Sequence, residues 1–217
     1  FIVMIYPTIV VDNFFKNPEK IVELSSTLPY HRDPNGRWPG VRSEFLHICN
    51  KGFFEIFHKK IFALLYPNQY RSIKWLAETN FQKVSAGRDN VGRVHQDFSE
   101  ITAIVYLSKH KGCGTSLWKN NNFILSSDEE NPYLDGPLNE KKINSIKERN
   151  NTFEKTFTAD SYFNRLLIFD SGHHHSAEKF FDEDVDGDRI TLITFISKIE
   201  IQNELLKTPL TECSRVD

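Results

Sequence analysis

The sequence predicts an α+β, mainly β fold: a jelly-roll, cupin-like double-stranded β-helix core with supporting N-terminal helices. Three observations lead there. Short β-branched or alternating runs with turn signals between them recur from about Trp75 to Ser197. The N-terminal third carries apolar residues at helical spacing instead. Eighteen Phe stand against one Met, a supply of rigid rings suited to packing on sheets. The 217 residues suffice for one domain with a sizeable core. We read 1–217 as a single domain, with a helical support region at 1–74, a core at 75–198 and a tail at 199–217. A polar insertion interrupts the core at about 119–160.

In chain order, residues 1–11 read as a strand ending at Asp12-Asn13. Asn17-Pro18-Glu19 is a helix start with Pro at the first helical position, and the helix is expected to run to about Thr27. Residues 29–43 are rich in turn formers and contain Arg37-Trp38-Pro39-Gly40-Val41-Arg42. That loop either packs on the domain through its own Trp or meets a ligand. Lys51 to Tyr66 is the strongest helix, with Phe53, Phe54, Ile56, Phe57, Ile61, Leu64 and Leu65 at three- and four-residue spacing.

After Trp75 the period becomes two. Asn80 to Ser85 alternates, Ala86 to Asn90 turns, and Ile101 to Leu107 is apolar on both faces, as a buried strand is. Lys111 to Gly114 is a turn and Thr115 to Trp118 a strand. Within the polar insertion we expect one short helix near Asn139 to Arg149. Asn164 to Phe169 is a strand, Asp170 to His175 a turn, and Arg189 to Ser197 the last clear strand. The tail from Glu200 is expected to add a short helix.

Composition excludes some functions. A net charge of −2 gives no general attraction to nucleic acid or to an anionic membrane. No run of eighteen apolar residues exists, so no membrane span is expected. The opening Phe1 to Tyr6 is short and lacks a basic leader, so we read it as a strand rather than a signal peptide. Cys49, Cys113 and Cys213 are odd in number and lack Cys-x-x-Cys spacing, which points to free thiols and a cytoplasmic location.

The chemistry centres on Gly92-Arg93-Val94-His95-Gln96-Asp97-Phe98. On a strand, His95 and Asp97 leave the same face and converge. An imidazole and a carboxylate at one point are two thirds of the facial triad that holds non-heme Fe(II). Alone, the pair is common. A third ligand is available in His173-His174-His175, of which His175 is favoured. The small residues Ser176-Ala177 follow it and let a ligand strand approach a metal. Arg189 opens an apolar strand, where it either balances Asp184, Asp186 or Asp188 or grips a ligand carboxylate bidentately. Tyr106 faces the same way as Thr102 and Ile104, and a buried phenol needs a partner.

Taken together, several segments resemble the prolyl-hydroxylase-type branch of the Fe(II)/2-oxoglutarate-dependent oxygenases. They are Val94-His95-Gln96-Asp97, Thr102 to Ser108, Gly112-Cys113-Gly114-Thr115, Asn164 to Phe169, the His triplet and Arg189-Ile190-Thr191. They occur in that family's order over roughly residues 75–198. The resemblance implies His95, Asp97 and His175 as Fe(II) ligands and catalytic residues. It implies Arg189 and Tyr106, with Thr191 in addition, as binders of the distal carboxylate of 2-oxoglutarate. It implies a dioxygenase that uses O2 on a primary substrate and releases succinate and CO2, the substrate being a peptide or protein side chain or a small metabolite. The family's usual Gly-Gly-Thr reads Gly112-Cys113-Gly114-Thr115 here. Two other readings stay open on the residues. One is a cupin-like metal enzyme without 2-oxoglutarate, which has no use for Arg189 and Tyr106. The other is a non-catalytic binding module on the same fold.

Overall fold

The computed structural model describes residues 5–85, 91–120 and 139–201. The elements are, in order, β1 (Ile9–Val11), α1 (Pro18–Ser26), β2 (Tyr30–His31), β3 (Val41–Ser43), α2 (Leu46–Cys49), α3 (Lys51–Leu65), β4 (Ile73–Val84), β5 (Ile101–Tyr106), β6 (Thr115–Asn120), α4 (Glu140–Asn150), β7 (Phe153–Ala159), β8 (Arg165–Asp170), β9 (His174–Ala177) and β10 (Arg189–Ile201). The protein is thus mainly β with few helices. Seven strands form one sheet in the order β1-β8-β5-β10-β4-β3-β2, and β7-β6-β9 form a second. The pairings in both sheets are antiparallel.

The large sheet sorts its residues by the period of two. On β5, Ile101, Ala103 and Val105 enter the larger core, while Ile104 and Tyr106 enter a second one. On β8, Leu166 and Ile168 go one way, Leu167 and Phe169 the other. The larger core lies under α3, whose Phe57, Ile61, Phe62 and Leu65 are buried in it. Each such side chain contributes about 1.5–3 kcal/mol by leaving water, so this face carries most of the stabilisation. Asn50 caps α3 by accepting from Phe53 N at 3.2 Å. The opposite face of the sheet looks toward the small sheet, and a cleft opens between them.

Several expectations shift in detail. The N-terminal strand is only Ile9–Val11: residues 5–8 are not strand, and residues 1–4 lie outside the described residues. The first helix starts with Pro18 as expected, but the Asn17 side chain makes no capping bond. The insertion is narrower than 119–160 because β6 extends to Asn120 and 153–159 form β7. In that strand Phe153, Thr156 and Phe157 supply β-forming residues among exposed charges, as an outer strand of a small sheet allows. The helix expected near Asn139 to Arg149 is α4. The His triplet, read as a turn, runs into β9. The turn at 86–90, Cys213 and the tail helix fall in part or wholly outside the described residues. Among the described residues no helix is long and apolar enough to cross a membrane.

Candidate functional site

The cleft has a volume of about 410 Å³, and His95, Asp97 and His175 stand on its wall. Their ligand atoms all lie within 4.8 Å of one another. The cause is local. His175 sits on β9, and the chain at His95 pairs with it: His95 N donates to His175 O at 3.0 Å, and His175 N to His95 O at 2.8 Å. Directly paired residues send their side chains the same way, and the two ring centroids are 4.4 Å apart. Gly92 permits this approach, because a Cβ there would lie 2.1 Å from Ala177 O. Asn150, at the end of α4, clips the segment down by accepting from Val94 N at 2.9 Å and donating to Gly92 O at 2.8 Å.

Each imidazole is fixed by one nitrogen. His95 Nδ1 donates to Arg93 O at 2.8 Å and His175 Nδ1 to His173 O at 2.9 Å. Both Nε2 atoms then face Asp97, at 3.6 Å from Oδ1 for His95 and 3.2 Å from Oδ2 for His175. Desolvation, then the neighbouring His175, lower the His95 imidazole to about 4 against the opposing Asp97 carboxylate and the bond to Arg93 O, so its ring is neutral at pH 7. Burial alone would raise the Asp97 carboxyl. The hydrogen bond and charge of His175 come next, with the electrostatic pull of His95 and the bond from the Thr102 hydroxyl; together they outweigh it and bring it down to about 2. Thr102 Oγ1 donates to Asp97 Oδ2 at 2.7 Å and meets Ser171 Oγ at 2.8 Å, which in turn meets Ser99 Oγ at 2.7 Å. Nitrogen lone pairs and an ionised carboxylate turned toward one point fit a divalent cation of the facial-triad type.

Further along β10 on the same face stand Arg189 and Thr191. Arg189 is 5% exposed and its Nη2 donates to Cys113 O at 2.9 Å, while its Nε has no partner. Among the described residues no carboxylate pairs with it; Asp184, Asp186 and Asp188 do not. Thr191 Oγ1 is also buried without a partner. Tyr106 lies opposite Thr191 in register, with its ring centroid 5.9 Å from the Arg189 guanidinium. Its hydroxyl donates to Thr115 Oγ1 at 2.9 Å, and Thr115, not Tyr106, lines the cleft.

The structure therefore brings His95, Asp97 and His175 to one point and gathers Arg189, Thr191 and Tyr106 beside one another. His173 is exposed and the His174 ring packs 5.0 Å from Phe153, so β9 turns only His175 of the triplet into the site. Sequence reasoning missed Thr102, Thr115 and Ser171 as hydroxyl partners. Thr115 had a signal, since it closes Gly112-Cys113-Gly114-Thr115; Ser171 had none. In the Arg37–Arg42 loop Trp38 is covered by Arg37 and Arg42, and all three line the cleft.

Solved structures share this fold at low identity. HygX of Streptomyces hygroscopicus, determined with nickel and 2-oxoglutarate bound, has a TM-score of 0.54 and 13% identity, covering 93% of this chain and 90% of its own. The non-heme α-ketoglutarate-dependent epimerase SnoN from nogalamycin biosynthesis has a TM-score of 0.54 and 12% identity, with 97% and 87% covered. A Pseudomonas putida prolyl-4-hydroxylase has a TM-score of 0.50 and 11% identity, with 89% and 93% covered. No curated protein sequence matches the chain. Residues 5–196 match the family described as "Family of unknown function (DUF6445)", and the chain belongs to that family.

Proposed function

We propose that the protein is an Fe(II)- and 2-oxoglutarate-dependent dioxygenase on a double-stranded β-helix core. It hydroxylates a peptide or protein side chain, or a small metabolite, with release of succinate and CO2. The observation that carries this reading is Arg189: a buried guanidinium that has no counter-ion among the described residues, in the same cleft as a His-Asp-His cluster. An unpaired buried charge is costly unless a ligand completes it, and a dicarboxylate reaching from the metal does so. The fold shared with HygX, SnoN and the prolyl-4-hydroxylase supports it.

His95, Asp97 and His175 would hold Fe(II), which would supply the activation of O2. The protein's own residues do the rest. The carbonyls of Arg93 and His173 fix the two imidazoles with Nε2 inward. Thr102 holds the Asp97 carboxylate. Arg189 anchors the distal carboxylate of 2-oxoglutarate, Thr191 adds its free hydroxyl, and Tyr106 contributes through the Thr115 hydroxyl that it holds. Ile104 and Ile193 give the floor an apolar surface that limits water.

The test is succinate formation from 2-oxoglutarate with Fe(II) in air, against pools of peptides and of metabolites. Succinate above the level of an Asp97→Ala control is expected in at least one pool. Succinate at the control level in every pool, from protein with metal bound, would sink the reading.

A further inference from the structure

We infer that Arg42 and Trp38 form a carboxylate-binding subsite, so that the primary substrate carries a carboxylate held at the metal end of the cleft. This rests on the oxygenase reading and names the substrate class for it. Arg42 lies on β3, opposite Gln82 of β4, on the cleft face of the large sheet. Its guanidinium lies 4.2 Å from the Trp38 ring centroid and 5.3 Å from that of Phe195. Phe195 pairs with Thr102, the residue that holds Asp97. Arg42 therefore reaches along the sheet toward the metal ligands, away from the Arg189 end of β10.

The guanidinium is positioned but not satisfied. Among the described residues it makes no ion pair and no hydrogen bond, and its Nε is buried without a partner. The indole Nε1 of Trp38, beside it, is likewise buried and unpartnered. Arg37 is different: it pairs with Asp33 at 3.0 Å, so its charge is already met. Burial pulls the Arg42 guanidinium down to about 10, and the nearby carboxylates, Asp97 first, oppose that, so it remains charged at neutral pH. Contact with two aromatic rings offsets part of the desolvation but uses none of the N–H donors. Those donors lie in the guanidinium plane, where a planar carboxylate is gripped by two parallel bonds. One uncompensated guanidinium with one indole N–H suits a single carboxylate rather than a dianionic phosphate.

The experiment uses the full chain loaded with Mn(II) and 2-oxoglutarate under nitrogen, with calorimetric titration of N-acetyl amino acids and of the matching carboxamides. The wild type should bind at least one acid, and bind its amide about 10- to 100-fold more weakly. Arg42→Gln should lose a similar factor for the acid, and Arg42→Lys should recover part of it. Both variants should still bind 2-oxoglutarate as the wild type does, while Arg189→Gln should not. If no acid binds better than its amide, or Arg42→Gln binds the acid unchanged, the subsite is wrong while the oxygenase reading stands. If Arg42→Gln loses 2-oxoglutarate, Arg42 serves the cosubstrate and the inference is overturned. If the wild type itself does not bind 2-oxoglutarate, the oxygenase reading fails and this inference falls with it.

Discussion

Two groups of polar side chains occupy opposite faces of the same sheet, and they are finished to different degrees. On the helix side, His58 of α3 is fully buried and both of its ring nitrogens are used. Nδ1 donates to Phe54 O at 2.8 Å, and Nε2 accepts from Thr194 Oγ1 at 2.9 Å, with Thr79 Oγ1 2.8 Å from Thr194 Oγ1. On the cleft side, His95 and His175 use Nδ1 in the same way, but their Nε2 atoms meet only a carboxylate. Among the described residues, Arg189 Nε, Thr191 Oγ1, Arg42 Nε and Trp38 Nε1 have no hydrogen-bond partner. A buried polar network that closes on itself specifies packing. One left open on a cleft is waiting for atoms the chain does not supply. The comparison separates a structural histidine from candidate ligands without appeal to residue type.

The comparison breaks first at the ligands. Asp97→Ala or His175→Ala should weaken Mn(II) binding by more than about 100-fold, beyond what loss of an outer partner costs, while the protein stays folded. Calorimetry with circular dichroism reads both. His58→Ala should do the reverse, costing about 2–4 kcal/mol through a cavity and one threonine O–H left without its acceptor, while Mn(II) affinity stays within a factor of about two. Equal effects of the two substitutions on metal binding would erase the distinction.

Acid sharpens the same contrast. Burial lowers His58 from 6.5 to about 4, against the opposing bond to Phe54 O. The folded protein favours the neutral ring. Its contribution is therefore whole above 6.5, is lost as pH falls from there to about 4, and amounts to at most about 3 kcal/mol. Urea denaturation of wild type and His58→Gln should show their stability gap narrowing across that window. A constant gap would mean that His58 does not titrate differently on unfolding. The smallest effect is at Thr102: Thr102→Val should weaken Mn(II) about tenfold by releasing Asp97 Oδ2, and Thr102→Ser should restore it.

How much of this could be read without coordinates depended on the range of the signal. The His95–Asp97 pair was legible because it is local, although the segment is not the strand it was read as: only His95 is paired, in an isolated bridge to His175. Ile101 to Leu107 was legible as a buried strand because its apolar run is continuous. His175 was singled out among three neighbours by the small residues after it. What selects it in the fold is register: β9 pairs His175 with Leu117 and with His95, and neighbouring His174 turns toward Phe153. β7 was hidden because its Glu154, Lys155 and Thr156 are exposed and read as loop. Arg42 was legible only as part of a loop that packs or meets a ligand; its place on a strand was hidden because β3 is three residues long and its pairing with β4 spans forty positions of sequence. Hydroxyl partners such as Ser171 and Thr115 are set wholly by tertiary contact, and serine and threonine carry no periodic signal.

The central claim is that Arg189, the open guanidinium beside the His-Asp-His cluster, is completed by 2-oxoglutarate on a metal. Its most direct test is calorimetric titration of 2-oxoglutarate into Mn(II)-loaded protein under nitrogen, with metal-free protein and Arg189→Gln beside it. One equivalent should bind the loaded wild type, with affinity about 100-fold lower in Arg189→Gln and sharply reduced without metal. Binding that is unchanged in Arg189→Gln, or indifferent to the metal, would contradict the account.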